Sequence, residues 1–146
     1  MSGGRGGGGT SRFPRRTWLG IGFVLQTVWP RRLGGSAAAR VGGVALLATG
    51  IGIMAWATAS AGSNDLGHPD RLVVDGPYTH SRNPMYVGCT LVYLGAAVVR
   101  DAAWPLILSP AVAAAVHREV RREEVLLAAR FGAEFEAYAA RCVRYV

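Results

Sequence analysis

The sequence predicts an all-α integral membrane protein. It has about four transmembrane helices, the last two a tight hairpin, and a cytosolic amphipathic helical segment at the C-terminus. Three observations carry this. Of the 146 residues, 51% are hydrophobic and only 17% charged, below the roughly 25% charged content usual in soluble domains. The apolar residues are gathered into uninterrupted runs rather than spread at core spacing. The 16 basic residues, all arginine, stand mostly at the ends of those runs and give a net charge of +7. This composition argues against a large soluble enzyme, a disulfide-stapled scaffold and a charged disordered chain.

The elements follow in chain order. Residues 1–16 are a Gly- and Arg-rich tail, expected to be disordered. Arg15-Arg16 ahead of Trp18-Leu19 faintly resembles an export signal, but Pro30-Arg31-Arg32 interrupts before any cleavage site at Ala37–Ala39. Thr17–Pro30 has 14 uncharged residues, about 21 Å of helix. That length suits a tilted short span, a re-entrant segment or an interfacial one. Val41–Gly62 has 22 uncharged residues, more than the roughly 20 that cross a bilayer as helix. Asn83–Val99 adds 17, and Ala102–Val116 adds 15 after the Arg100-Asp101 break. These two are short, but flanking arginine stems reach the interface. The predicted spans are 17–30, 41–62, 84–99 and 102–117, with cytosolic helices at 118–131 and 133–143, all within one domain of residues 17–146.

Charge placement sets the orientation. With four crossings and a cytosolic N-terminus, 12 arginines lie inside and 4 outside; without the first crossing the split is 8 to 8. The positive-inside rule favours four crossings with both termini in the cytosol. Arginines at the ends of apolar runs do not make the solvated basic face of a nucleic-acid binder, so no nucleic-acid partner is expected. Cys89 and Cys142 have no ligand-type neighbours in sequence, and His68, His80 and His117 stand alone. No metal site is expected.

Residues 63–84, SNDLGHPDRLVVDGPYTHSRNP, form the most polar stretch beside the apolar runs. Leu72-Val73-Val74 suits a short extended piece, and Gly76-Pro77 a turn. Asn83-Pro84 has the chemistry of a helix start, Asn as cap and Pro in the first position. A helix N-terminus at the water boundary presents free N–H groups to an anion, although an ordinary capped helix explains the same residues. After the hairpin, Val120, Leu127 and Phe131 recur on one helix face, with Glu123 and Glu124 beside it. Gly132 marks a helix end, and Phe135, Tyr138 and Cys142 mark a second short amphipathic helix. A helix lying on the membrane, with its glutamates paired to arginines, is the plain alternative.

The string GPYTHSRNPMYVG resembles the signature G-P-Y-x-x-x-R-(H/N)-P-x-Y-x-G of the isoprenylcysteine carboxyl methyltransferase-like family of small integral membrane methyltransferases. Gly76, Pro77, Tyr78, Arg82, Pro84, Tyr86 and Gly88 match its fixed positions. Asn83 stands where the eukaryotic enzymes carry His. The C-terminal segment resembles the same family's E-E-x-x-L-x-x-x-F-G-x-x-(Y/F)-x-x-Y block through Glu123, Glu124, Leu127, Phe131, Gly132, Phe135 and Tyr138. The resemblance covers about residues 70–146, half the chain.

The resemblance implies methyl transfer from S-adenosylmethionine to a lipophilic or lipid-modified acceptor, with the cofactor site facing the cytosol. It implies cofactor contacts at Val73, Tyr78, Asn83, Pro84, Met85, Tyr86 and Glu123, and catalytic roles for Arg82 and Glu123. The family's upstream contact positions fall near Ser63 and Asp70, where residue types differ. Its substrate-facing Arg ahead of the Glu pair has no equivalent, because Glu119 stands at the aligned position. Sterol reductases share a related C-terminal architecture and use NADPH, and a non-catalytic membrane protein retaining the motif is the third alternative. The methyl acceptor and the oligomeric state are not written in the sequence.

Overall fold

A computed structural model describes residues 17–62 and 71–145. Five α-helices run in order: α1 Thr17–Val28, α2 Ala37–Ala61, α3 Pro84–Val99, α4 Ala103–Phe131 and α5 Ala133–Arg141, with a 3-10 turn at Gly76–Thr79 before α3. Among the described residues there is no strand, only isolated bridges. The Gly-rich tail 1–16 and the positions Ser63 and Asp70 lie outside the described residues.

α2 is long and apolar enough to cross a membrane, and α3 is apolar but shorter. α2 starts four residues before the uncharged run, because Ser36 caps it by accepting the Ala39 N–H at 3.2 Å. Arg40 therefore sits in its first turn. α2 and α3 form the tightest pair. Gly43 and Gly50 on α2 face Gly95 and Gly88 on α3, so backbone meets backbone. A Cβ built on Gly50 lies 2.7 Å from the Gly88 carbonyl oxygen, and one on Gly95 lies 2.7 Å from that of Gly43. In lipid, where apolar surface gains little by burial between helices, such close approach is a main source of packing energy.

The sequence separates a span at 102–117 from a cytosolic helix at 118–131. The structure corrects this: both are one helix, α4, with 29 residues. The onset of charge at His117-Arg118 changes the side chains, not the backbone conformation. Pro110 lies inside α4 and cannot donate to the Leu106 carbonyl. The Ser109 hydroxyl donates to that carbonyl instead, at 2.7 Å. α5 ends at Arg141, short of the expected 143, because the chain beyond it leaves the helix and Val143 bridges to Ser81.

The hairpin turn falls at Arg100-Asp101, as the sequence predicts. Asp101 adopts φ +54°, and its carboxylate accepts the N–H groups of Leu33 and Gly35 at 3.0 and 3.2 Å. At the same end, Ala103 N–H donates to the Arg31 carbonyl and the Arg31 guanidinium stacks over Trp104. α1 packs on the start of α4, where Gly22 lets its backbone approach Pro105. Tyr93 joins them, donating its hydroxyl to the Pro105 carbonyl at 2.9 Å and meeting Phe23 edge-on.

At the opposite end the loop before α3 alternates as extended chain does. Val73 turns toward Ala57 and Ala61 of α2, together with Tyr78 and Met85. Leu72 and Val74 turn the other way, onto Phe135, Tyr138 and Cys142. The loop is thus sandwiched between the end of α2 and the amphipathic face of α5. This sandwich holds the entrance of α3 in place.

Candidate functional site

α3 begins at Pro84, as expected, but Asn83 does not cap it. Its side-chain amide donates to the Arg144 carbonyl at 3.2 Å, and its N–H donates to the Ser81 hydroxyl. Ser81, almost fully buried, donates to the same Arg144 carbonyl. Arg82 N–H donates to the Val143 carbonyl at 2.9 Å. Residues 143–145 therefore form a strap across the start of α3. A distant carbonyl has taken the amide that local chemistry assigns to the cap.

The two adjacent glutamates of α4 divide. Glu123 is half-buried and accepts the Tyr86 hydroxyl at 2.9 Å. Glu124 is buried and sits between two arginines. Arg82 Nη1 stands 3.3 Å from its Oε1, while Arg144 donates Nη2 and Nε to Oε2 at 2.7 and 2.9 Å. That hydrogen bonding raises the Arg144 pKa further above its ordinary value. Arg82 Nε and Glu124 Oε1 are buried and make no hydrogen bond.

The structure thus brings Tyr86 to Glu123 and Arg82 to Glu124, joining two segments that the sequence places on either side of the hairpin. It places Arg82 against Glu124 rather than Glu123. Asn83, Pro84 and Met85 lie in the turn that enters α3; Pro84 is fully buried and Met85 packs on the α2 cluster. Val73 and Tyr78 are buried in that cluster. Arg144, Tyr145 and His117 are the functional candidates that sequence reasoning missed. Nothing in RCVRYV, or in a lone histidine at a span end, signals a contact made only by folding.

Tyr78 is tied to α5 and the residue that follows it through its carbonyl, which accepts the Tyr138 hydroxyl at 2.7 Å and the Cys142 thiol at 3.2 Å. Burial pushes the Tyr78 phenol above the ordinary value, and burial with Cys142 alongside pushes Tyr138 well above it. A phenol whose pKa is raised by folding stabilises the fold fully below its unfolded value, about 10. That contribution is lost as pH rises through the folded value. Unfolding above about pH 10 is therefore expected to release a late, steep rise in phenolate absorbance. Tyr138→Phe should shrink this step and cost about 1 kcal/mol of stability. A wild-type titration complete near the ordinary phenol pKa, with the fold intact, would contradict this.

A cleft of about 380 Å³ opens between α3 and α4. Tyr86, Val87, Thr90 and Leu91 form one wall; Ala113, Val116 and His117 form the other, and Tyr145 of the strap closes one end. His117 Nδ1 and the Tyr145 hydroxyl are 3.1 Å apart. The walls are apolar apart from Tyr86, Thr90 and this pair, and Thr90 spends its hydroxyl on the Tyr86 carbonyl. The cleft therefore joins an apolar trough to the Tyr86–Glu123 contact.

Against known proteins, a family model described as phospholipid methyltransferase matches residues 38–134, more than half of the chain. That range takes in α2 from its second residue, all of α3 and α4, and both glutamates. No curated protein and no solved structure matches the chain.

Proposed function

The chain belongs to the phospholipid methyltransferase family, and from that premise we propose that it transfers a methyl group from S-adenosylmethionine to a lipophilic acceptor at the cytosolic face of a membrane. The proposal includes four crossings, with both termini and the cofactor site in the cytosol, as the arginine distribution favours. The observation that carries it is the Tyr86–Glu123 hydrogen bond. It couples the first turn of α3 to the polar half of α4, next to a cleft suited to an apolar ligand.

The residues present fit the cofactor. Its amino-acid end bears a carboxylate and an ammonium; Arg82 Nε and Glu124 Oε1 are a donor and an acceptor that make no hydrogen bond, on side chains that pair with each other through Arg82 Nη1. Glu123 supplies a carboxylate and Tyr86 an aromatic ring, both attractive to a sulfonium cation. Asn83, Pro84 and Met85 shape the turn beside them, while Val73 and Tyr78 support that turn from behind by packing. When bound, S-adenosylmethionine supplies an electrophilic methyl group. The protein's part is then alignment and exclusion of water rather than extensive acid–base chemistry.

The test is binding of S-adenosylmethionine to detergent-purified protein, with S-adenosylhomocysteine competing and NADPH as control. Saturable, competed binding is expected. Glu123→Ala should weaken it about tenfold or more and Tyr86→Phe severalfold, in line with the loss of charge-assisted contacts. Folded wild-type protein that binds only NADPH, or neither ligand, would overturn the reading. Normal binding by both variants would overturn the site.

A further inference from the structure

The cleft between α3 and α4 has a polarity gradient. Leu91, Val116 and their neighbours make an apolar trough, and the His117–Tyr145 pair stands at the end of the trough closed by the strap. His117 follows directly on the uncharged run of α4, so this end lies where hydrocarbon gives way to water. Among the described residues no arginine lines the cleft. The nearby cations are engaged elsewhere: Arg82 and Arg144 on Glu124, Arg122 on Glu119, and Arg118 on the Ala114 carbonyl. Arg121 borders a separate hollow with Val125 and Leu126. The titratable groups that share the cleft with His117 are Tyr145 from the strap and Tyr86 from α3.

We propose that His117 is the proton acceptor of the reaction, that the methyl acceptor binds in this cleft, and that it carries an ammonium or hydroxyl head, which must lose a proton to be methylated. This rests on the methyl-transfer reading above and goes further by naming the base and where it sits. The nitrogen or oxygen lone pair forms the new bond to carbon. The carbon–sulfur bond breaks with its electron pair staying on sulfur, which becomes a neutral thioether. An ammonium head gives its proton to His117 Nε2 before its lone pair attacks, and a hydroxyl head gives its proton as the bond forms; from the imidazolium the proton passes to water. This role sets the tautomer: Nδ1–H donates to the Tyr145 hydroxyl, leaving the Nε2 lone pair to face the acceptor. A carboxylate acceptor needs no such base, since it has no proton to lose. It would also be desolvated here with no cation opposite it. Tyr145 is a positioning residue, acting through the imidazole it holds.

The experiment uses the full-length protein in mixed micelles with tritiated S-adenosylmethionine and three probes of equal tail: dodecylamine, dodecanol and dodecanoate. Label is expected on the amine or the alcohol and not on the carboxylate. His117→Asn retains a side-chain partner for Tyr145 but is no proton acceptor. It should bind the cofactor normally and lose about a hundredfold in turnover, the scale of general-base catalysis. His117→Ala should recover part of the rate in added imidazole. Tyr145→Phe should lower kcat severalfold with little change in KM. Methyl ester formed on dodecanoate overturns the proposal. So does turnover by His117→Asn within about threefold of wild type, or no label on any probe by protein that binds the cofactor. Wild-type protein that fails to bind S-adenosylmethionine overturns the methyl-transfer reading itself, which separates the two failures.

Discussion

Glu124→Ala is expected to lower the stability of the protein in detergent by about 3–5 kcal/mol, the range for removing one partner from a buried ion pair. The reason lies in what is left behind. The Glu124 and Arg82 side chains are only 10% and 14% exposed, whereas that of Arg144 is 35% exposed. Without the carboxylate, Arg144 swings to water at little cost. Arg82 has less freedom, because its own N–H is fixed to the Val143 carbonyl. An unpaired guanidinium then remains between α4 and the strap, and the strap has to lift for it to be hydrated. Arg144→Ala should cost less, about 2 kcal/mol, since it removes the two hydrogen bonds to Glu124 but leaves Arg82 paired with that carboxylate, and the backbone carbonyl that holds Ser81 and Asn83 survives the change. Glu124→Gln keeps an acceptor and should fall between the two.

Thermal unfolding of these variants, with limited proteolysis of the C-terminal residues as a second readout, tests the order. Glu124→Ala should expose the strap to protease at temperatures where Arg144→Ala remains closed. Equal losses for the two would mean that the buried charge of Arg82 is not what the carboxylate stabilises. The neighbouring Glu123→Ala provides a contrast. Glu123 is half-exposed and serves Tyr86, so its loss should fall on cofactor binding and much less on stability. Adjacent glutamates on one helix would then have opposite signatures.

What the sequence made legible is what local chemistry decides. Pro84 can only open a helix here, Gly132 takes φ +52° at the end of α4, and Arg100-Asp101 interrupts two apolar runs; all three boundaries stand where they were expected. What it hid depends on partners far along the chain. Asn83 has the side chain of a cap, but the strap's carbonyl competes for it, and no local pattern reveals that competitor. The division of labour between Glu123 and Glu124 is set by the hundred degrees of rotation between successive helix positions. This turns one carboxylate to Tyr86 and the other to Arg82. The continuity of α4 was hidden because hydropathy changes sharply at His117-Arg118 while the helix geometry does not. His117 and Tyr145 became a pair only once the strap was placed.

Gly50→Val is expected to be as damaging as the loss of Glu124, by a different route. A Cβ at Gly50 lies 2.7 Å from the Gly88 carbonyl oxygen and 2.9 Å from the Val92 nitrogen, both backbone atoms of α3. No rotamer change relieves those contacts, so the helices must separate. Overpacking costs about 1–3 kcal/mol where side chains can adjust, and here they cannot, so about 3 kcal/mol is the lower expectation. Gly52→Val is the control. A Cβ there meets nothing within 4 Å, so it carries the same β-branched helix propensity without the clash. The effect should also reach the site. Ala57 and Ala61, further along α2, form the floor on which Val73, Tyr78 and Met85 rest, and Met85 adjoins Tyr86. Separating α2 from α3 shifts the first turn of α3 relative to α4 and stretches the Tyr86–Glu123 bond. Gly50→Val should therefore lose both folded protein and S-adenosylmethionine binding, and Gly52→Val should lose neither. Because both glycines of a contact relieve the same strain once the helices part, Gly50→Ala with Gly88→Ala should cost less than the sum of the single changes. Strict additivity would show that the two glycines do not share one contact.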